Sequence, residues 1–393
     1  MVLMAEIHKL GGIHMDWWKK SFVACAFCLC ACFNQGVAGA NHSDSDKPGP
    51  HRIESDRLFG FIDQDGRVIS LPMFRYAWAF HNGLARVQAA DSDNYGFIDT
   101  SGAYVVPPQL AEASDFSEGL AAVKPVVNGL YGYINTAGEM VIPPRYSHAY
   151  KFINGRARVN IDGMTAYINR VGNELMRTPY LKILDTKGNM IPFFSENKLG
   201  FMNQAGKVII EPKYLRMIYW ADLIFTEPIA PVGLDKKYGF IDKTGKVVVD
   251  FQYDWVHQFK EGLAVVDKDK HYGFIDTSGK VVIPLQFEEA WNFSEGLAAV
   301  KVNDRWGFID KQGRMVIQPE YLNRRFGGPI EFHEGLAAVR TENGTGYINK
   351  QGEMVVAPVY LSADDFSGGV AEVWLGRYRY INRQGEYLWP PSQ

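Results

Sequence analysis

From Phe59 onward, apolar and polar residues follow one pattern that returns every 33–39 residues. Each return opens on a short alternating stretch such as Tyr95-Gly-Phe-Ile-Asp99. Aromatic and β-branched residues at period two predict a strand there. An Asp-x-x-Gly reversal leads into a second apolar run, for example Val281-Val-Ile283. Pro commonly follows, at 72, 107, 143, 284, 319 and 358, and is expected to stop that strand because it lacks a ladder donor. A second block then appears, in its fullest form Phe116-Ser-Glu-Gly-Leu-Ala-Ala-Val-Lys124, repeated at Phe293 and Phe332. Weaker forms start at Phe80, Phe152, Phe225, Phe259 and Phe366. Leu-Ala-Ala-Val reads as a third strand. One unit is thus a three-stranded antiparallel meander, with a fourth short strand left open near Ala113 or Ala290.

Taking the position before the aromatic as marker, copies start at 60, 96, 132, 166, 200, 239, 273, 307, 346 and 379. A period held this long is a repeat array. An aromatic follows the marker in all ten copies, and Asp or Asn comes two places after that aromatic in all ten. Asn stands there in five (135, 169, 203, 349, 382), a swap that a backbone-binding turn tolerates and ionic catalysis does not. Gly closes every unit and supplies the positive φ such a turn needs. The residues expected to be structural include Phe97, Asp99, Gly102, Gly273, Phe274, Asp276 and Gly279. Trp306, Gly307, Phe308, Asp310 and Gly313 join them.

A unit of about 35 residues cannot bury enough surface to fold alone, so neighbours must stack. The expected fold is all-β, about ten antiparallel meander or hairpin repeats in an open β-solenoid or superhelix. Propellers usually close at about four to eight blades, and 34 residues is short for a blade. One or two propellers, such as two five-bladed rings, are the alternative. Repeats are expected over 58–170 and 200–393. Residues 171–199 lack the second block and predict an irregular repeat or a break.

Two blocks in fixed order, Tyr/Trp-Gly-Phe-Ile-Asp-x-x-Gly and Phe-x-Glu-Gly-Leu-Ala-x-Val, resemble the WG-repeat family, also described as KWG repeats. Trp306-Gly307 shows the naming dipeptide, and Tyr-Gly replaces it at 95, 131, 238 and 272. The resemblance covers roughly 58–388 and weakens at 166–199. It implies a bacterial, often exported, β-rich protein with an interaction or scaffold role and no common catalytic residues.

All four cysteines (25, 28, 30 and 32) lie in the apolar run Ser21–Phe33, after Lys19 and Lys20 and before Gly36-Val-Ala-Gly-Ala40. Basic flank, short apolar core and small residues are the parts of a signal peptide. Residues 1–40 are therefore expected to direct export, with Met15 as the true start. Cleavage after Ala40 leaves no cysteine for a disulfide or thiolate chemistry. Leu29-Cys-Ala-Cys32 also matches a lipobox, and lipidation at Cys32 would be the one route to the membrane. Residues 41–57 are polar, contain Pro48-Gly-Pro50, and read as a flexible leader.

Charge argues against nucleic acid, since 44 acidic residues face 41 basic ones. No close histidine pair, nucleophile elbow or phosphate loop is present. The expectation is no enzyme, no cofactor and no metal. A monomeric scaffold is expected to bind an unidentified protein or cell-envelope glycan, in the periplasm or outside the cell. The 53 aromatic residues serve as packing, and Trp78, Trp220, Trp255, Trp291 and Trp374 are the candidate ligand contacts. A repeat-based glycan hydrolase using a carboxylate pair is the alternative.

Overall fold

The computed structural model describes residues 50–178, 190–215, 228–325 and 327–389. Within these, every strand pairs antiparallel with a neighbour close in sequence. Unit 3, with its marker at Gly132, shows the scheme. Its first strand β7 (Glu112–Ala113) is two residues long. β8 (Leu120–Lys124), β9 (Tyr131–Asn135) and β10 (Met140–Tyr146) follow in order across the sheet. The short strand left open near Ala113 and Ala290 is therefore real in both units. The second and third strands are buried on both faces, whereas the fourth shows most of its residues to solvent. The fourth strand is thus the outer edge and the first lies toward the middle of the molecule.

Proline does not end the fourth strand. In unit 7, β23 (His271–Asp276) pairs Tyr272 with Phe287 and Phe274 with Ile283 in β24 (Val281–Phe287). Two residues on one strand face four on the other, and Pro284 sits in the resulting bulge, where no ladder donor is needed. The bulge presses the fourth strand onto the marker glycine. A Cβ on Gly273 would lie 2.7 Å from the Ile283 carbonyl oxygen. Unit 4 confirms the cause. Its marker is Ala166, and β13 (Met164–Asn169) pairs regularly with β14 (Glu174–Thr178) over Thr165, Ala166 and Tyr167.

Units join through aromatic pairs. In seven units the ring after the marker meets the ring that opens the next unit's second block. Phe97–Phe116, Phe274–Phe293 and Phe308–Phe332 have centroids 4.8–4.9 Å apart. Phe61–Phe80, Tyr133–Phe152, Phe240–Phe259 and Tyr347–Phe366 repeat the contact at 4.7–5.0 Å. Tilted and edge-on pairs of this kind add about 0.5–1.5 kcal/mol each beyond the area they bury.

The array closes on itself. Each turn glycine sits on the apolar residue of the preceding unit's fourth strand, from Gly102 on Ile69 through Gly279 on Val249 to Gly385 on Val356. Gly66, in the first unit, sits on Leu388, near the chain's end. Ile53 and Ile62 are buried together with Val370 and Tyr380, and Leu388 and Trp389 pack against them. The open solenoid is therefore replaced by a closed β-propeller. Nine sheets form it among the described residues. The first blade is double. Its strands are β1 (His51–Ser55), β2 (Leu58–Ile62), β3 (Val68–His81), β4 (Leu84–Ala89), β5 (Tyr95–Asp99) and β6 (Tyr104–Leu110), and the 14-residue β3 serves two units. The size argument against a ring fails because two-residue first strands and tight turns make a narrow unit sufficient, and narrow units fit in larger number around one axis.

Two boundaries also move. The leader expected over 41–57 contains strand β1, which the ring needs at its seam. In the region 171–199, residues 179–189 lie outside the described residues; on either side β14 completes unit 4, β15 (Ile191–Ser195) opens unit 5, and Met176 packs with Ile191 and Phe193, so the array continues. Residues 1–40, with all four cysteines and Cys32 among them, lie outside the described residues.

Candidate functional site

The uniform polar positions are consumed by the ring. In all ten units the turn Asp or Asn accepts two backbone hydrogen bonds from residues two and four places on. At Asp276 the donors are the Ser278 and Lys280 amides, and the Ser278 hydroxyl adds a third at 2.6 Å. That hydroxyl is the main reason its carboxyl stays below the usual range. Asn makes the same backbone bonds as Asp, as Asn135 shows. The turns are thus held by side-chain caps, and among the described residues no cluster of metal-ligating side chains occurs.

Glutamate of Phe-x-Glu-Gly ties one unit to the next. Glu118 accepts from the Gly155 amide at 2.8 Å, Glu295 from Gly335 at 3.0 Å, and Glu334 from Gly368 at 2.6 Å. A cation from the next unit's turn completes the clamp, Lys350 on Glu295 at 3.0 Å and Arg383 on Glu334 at 2.5 Å. Burial pushes the Glu334 carboxyl up, but Arg383 and the Gly368 and Gly369 amides outweigh it and hold it below the usual range.

Chemistry left over for recognition therefore sits where units depart from one another. Of the five candidate tryptophans, Trp220 lies outside the described residues, and the other four are half-buried. They do not form one stripe. Trp78 is stacked under Arg86, 3.8 Å from its guanidinium carbon, and leans on Tyr95. Arg86 bridges onward to Asp115 at 3.0 Å in the next unit. Trp291 occupies the same place in unit 8 and meets His257 of unit 7 edge-on at 5.9 Å. Its indole nitrogen is buried and without a partner. Burial holds the His257 ring below its ordinary value. Trp255 packs against Tyr238 at 5.0 Å and Trp374 against Tyr378 at 4.6 Å.

A second group, not among the sequence candidates, gathers in units 9 and 10. Glu331, Asp364 and Glu372 all have carboxyls raised by burial. His333 Nε2 stands 3.7 Å from Glu331 and 3.6 Å from Asp365, and Arg324 holds Asp365 at 3.0 Å. Tyr380 donates to Glu372 at 2.9 Å. The signal for these residues was in the sequence as copies that differ: Glu372 stands where Ala122, Ala299 and Ala338 stand in sister units.

The sequence profile of the WG containing repeat matches residues 59–90, 95–130, 131–164, 200–217, 238–270, 272–306, 306–321 and 346–373, more than half of the chain. No curated protein matches the chain. Among solved structures, a eukaryotic initiation factor is similar at 11% identity, TM-score 0.48, over 87% of this chain and 95% of that one. Kluyveromyces lactis Hsv2 follows at 11%, TM-score 0.36, over 58% and 90%. PorZ, a surface component of the type-IX secretion system of Porphyromonas gingivalis, is similar at 12%, TM-score 0.27, over 88% and 59%. Likeness at this level carries no argument about function. The repeat match, and the geometry that gives every repeated residue a task, identify the chain as a member of the family built from WG containing repeats.

Proposed function

We propose that the ring is a non-catalytic scaffold that recognises a protein or a cell-envelope glycan outside the cytoplasm, acting as a monomer without cofactor or nucleic acid. One observation carries the reading. The consensus carboxylates are spent on turns and clamps, whereas Trp78, Trp291, His257 and their neighbours vary from unit to unit. A fixed frame with variable inserts is how repeat proteins hold binding residues. Export rests on the signal-like residues 1–40. Amino-terminal sequencing of the mature protein tests it: a start at Asn41 fits free export, and a blocked Cys32 fits lipid anchoring.

Glycan arrays and pull-downs with residues 41–393 test recognition. A saturable ligand in either supports the scaffold, and none in both rejects it. Glycan hydrolysis would stand on raised carboxyls such as those of Glu331, Asp364 and Glu372, because a protonated carboxyl can serve as general acid. Turnover of a polysaccharide that is lost in Glu372→Gln would replace the scaffold with that reading.

A further inference from the structure

The seam between units 10 and 1 departs from the other joints at two positions. The first is the clamp. Glu118, Glu261, Glu295 and Glu334 stand at φ of 52–55°, and Asn82 and Asn154 replace them at 51° and 53°. At the seam the place belongs to Gly368, at 63°, so the backbone is kept and the side chain is gone. The second position is the second-strand residue paired with the residue after the marker's aromatic. It is alanine in eight units, as in Ala85 opposite Ile98 or Ala371 opposite Ile381. Unit 5 has Ile191 there. Unit 1 has His51, opposite Ile62.

The two departures meet. The His51 ring donates to the Gly368 carbonyl across the seam. Its Nε2 is buried and has no hydrogen-bond partner, so the bond runs through Nδ1 and the neutral ring keeps one bare nitrogen enclosed. Apolar Ile53, Ile62 and Val370 pack beside it, with Tyr380 among them. The charged and titratable groups around the ring are engaged elsewhere. Glu334 holds Arg383 and two glycine amides, Asp63 caps its own turn, and Tyr380 donates to Glu372. A proton added to Nε2 therefore places a cationic donor in an enclosed joint without an acceptor, and opening the seam to water relieves that cost.

We propose that His51 is an acid-sensitive latch: neutral, it shuts the ring on Gly368, and protonated, it releases the seam while the other joints hold. Burial is the largest influence on the ring and lowers its affinity for a proton, with Gly368 and Glu334 opposing it only in part. In an open seam the ordinary value of about 6.5 returns. The open form thus binds protons more readily, and opening rises as pH falls below about 6.5, by at most about tenfold per pH unit for one proton. The clamped joints keep their charges through this window, because the Glu295 and Glu334 carboxyls lie below the usual range. His257 also resists protons, but its joint carries Glu261 on Lys311 at 3.1 Å and does not depend on the imidazole.

The test is hydrogen exchange on the full chain between pH 7.5 and 5, read by mass spectrometry as protection relative to the intrinsic rate at each pH. Peptides covering 51–62 and 370–389 report the seam, and those covering 263–287 report unit 7. Seam protection is expected to fall by up to about tenfold per pH unit below about 6.5, while unit 7 stays level. His51→Gln can still donate to Gly368 and does not titrate, so it should keep the seam shut and remove the pH response. His51→Ala installs the residue of eight sister units and should fold. Its seam should be less protected already at pH 7.5 and indifferent to pH. His257→Gln should leave the response of the seam intact. Protection lost equally at the seam and in unit 7 overturns the latch, as does a pH response retained in His51→Gln. Seam protection in His51→Ala equal to that of the unchanged chain at pH 7.5 also overturns it.

Discussion

Glu334 joins two units through one side chain, accepting from the Gly368 and Gly369 amides and holding Arg383. Removing it as Glu334→Ala leaves two amides and a guanidinium without their acceptor, and is expected to cost about 2 kcal/mol in urea unfolding. Glu334→Gln should recover part of that, because its amide oxygen can still accept. The lowered carboxyl sets the pH window. Its contribution is full above the unfolded range of about 4.3 and is lost as pH falls through the lower folded value. Two buried imidazoles act earlier. Burial lowers both His51, at the seam, and His257, so protons bind the unfolded chain more readily than the ring. Stability should therefore decline as pH drops below about 6.5. Thermal midpoints between pH 7.5 and 5 check this, and His51→Gln should flatten the slope. An unchanged slope in that variant would show that His51 does not set it.

The marker glycine belongs to its strand pair, where the bulge on the fourth strand leaves no room for a side chain. Gly273→Ala is expected to cost about 1–3 kcal/mol as an overpacked contact. The reverse change at Ala166, where pairing is regular, should cost at most about 1 kcal/mol. Equal costs at the two sites would separate the glycine from the bulge. At this scale much was legible from the sequence. Strand periods and the Asp-x-x-Gly cap follow from side-chain geometry within 10 residues. Proline misled, because a residue without a ladder donor fits a bulge as well as an end, and only the partner strand decides between them. Glu372 was legible only as a departure from Ala122, Ala299 and Ala338, and the burial that raises its carboxyl depends on the residues packed around it in the fold.

Closure is a property of the whole molecule, and no unit encodes it. A small, equal rotation at each joint gives a helix or a ring according to its tilt, and tilt is set by packing between blades. The sequence displayed ten similar joints and left their angle unstated. Small-angle scattering separates the two shapes. The ring predicts a radius of gyration near 20 Å, as for a compact chain of this length, whereas sheets stacked about 10 Å apart in an open array would give about 30 Å. The seat of Gly66 on Leu388 has a further consequence for folding. It joins residues more than 300 positions apart, so closing it from a disordered chain costs about 5 kcal/mol in loop entropy. Neighbouring blades should therefore assemble first into a crescent, and the seam should form last. A crescent carries two unlike, complementary ends, and the ends of a second chain fit them as well as its own do. Refolding at high protein concentration is expected to trap head-to-tail dimers that dilute refolding avoids, detectable by size-exclusion chromatography. The surface that finishes the monomer is thus the one through which it can lose its identity as a monomer.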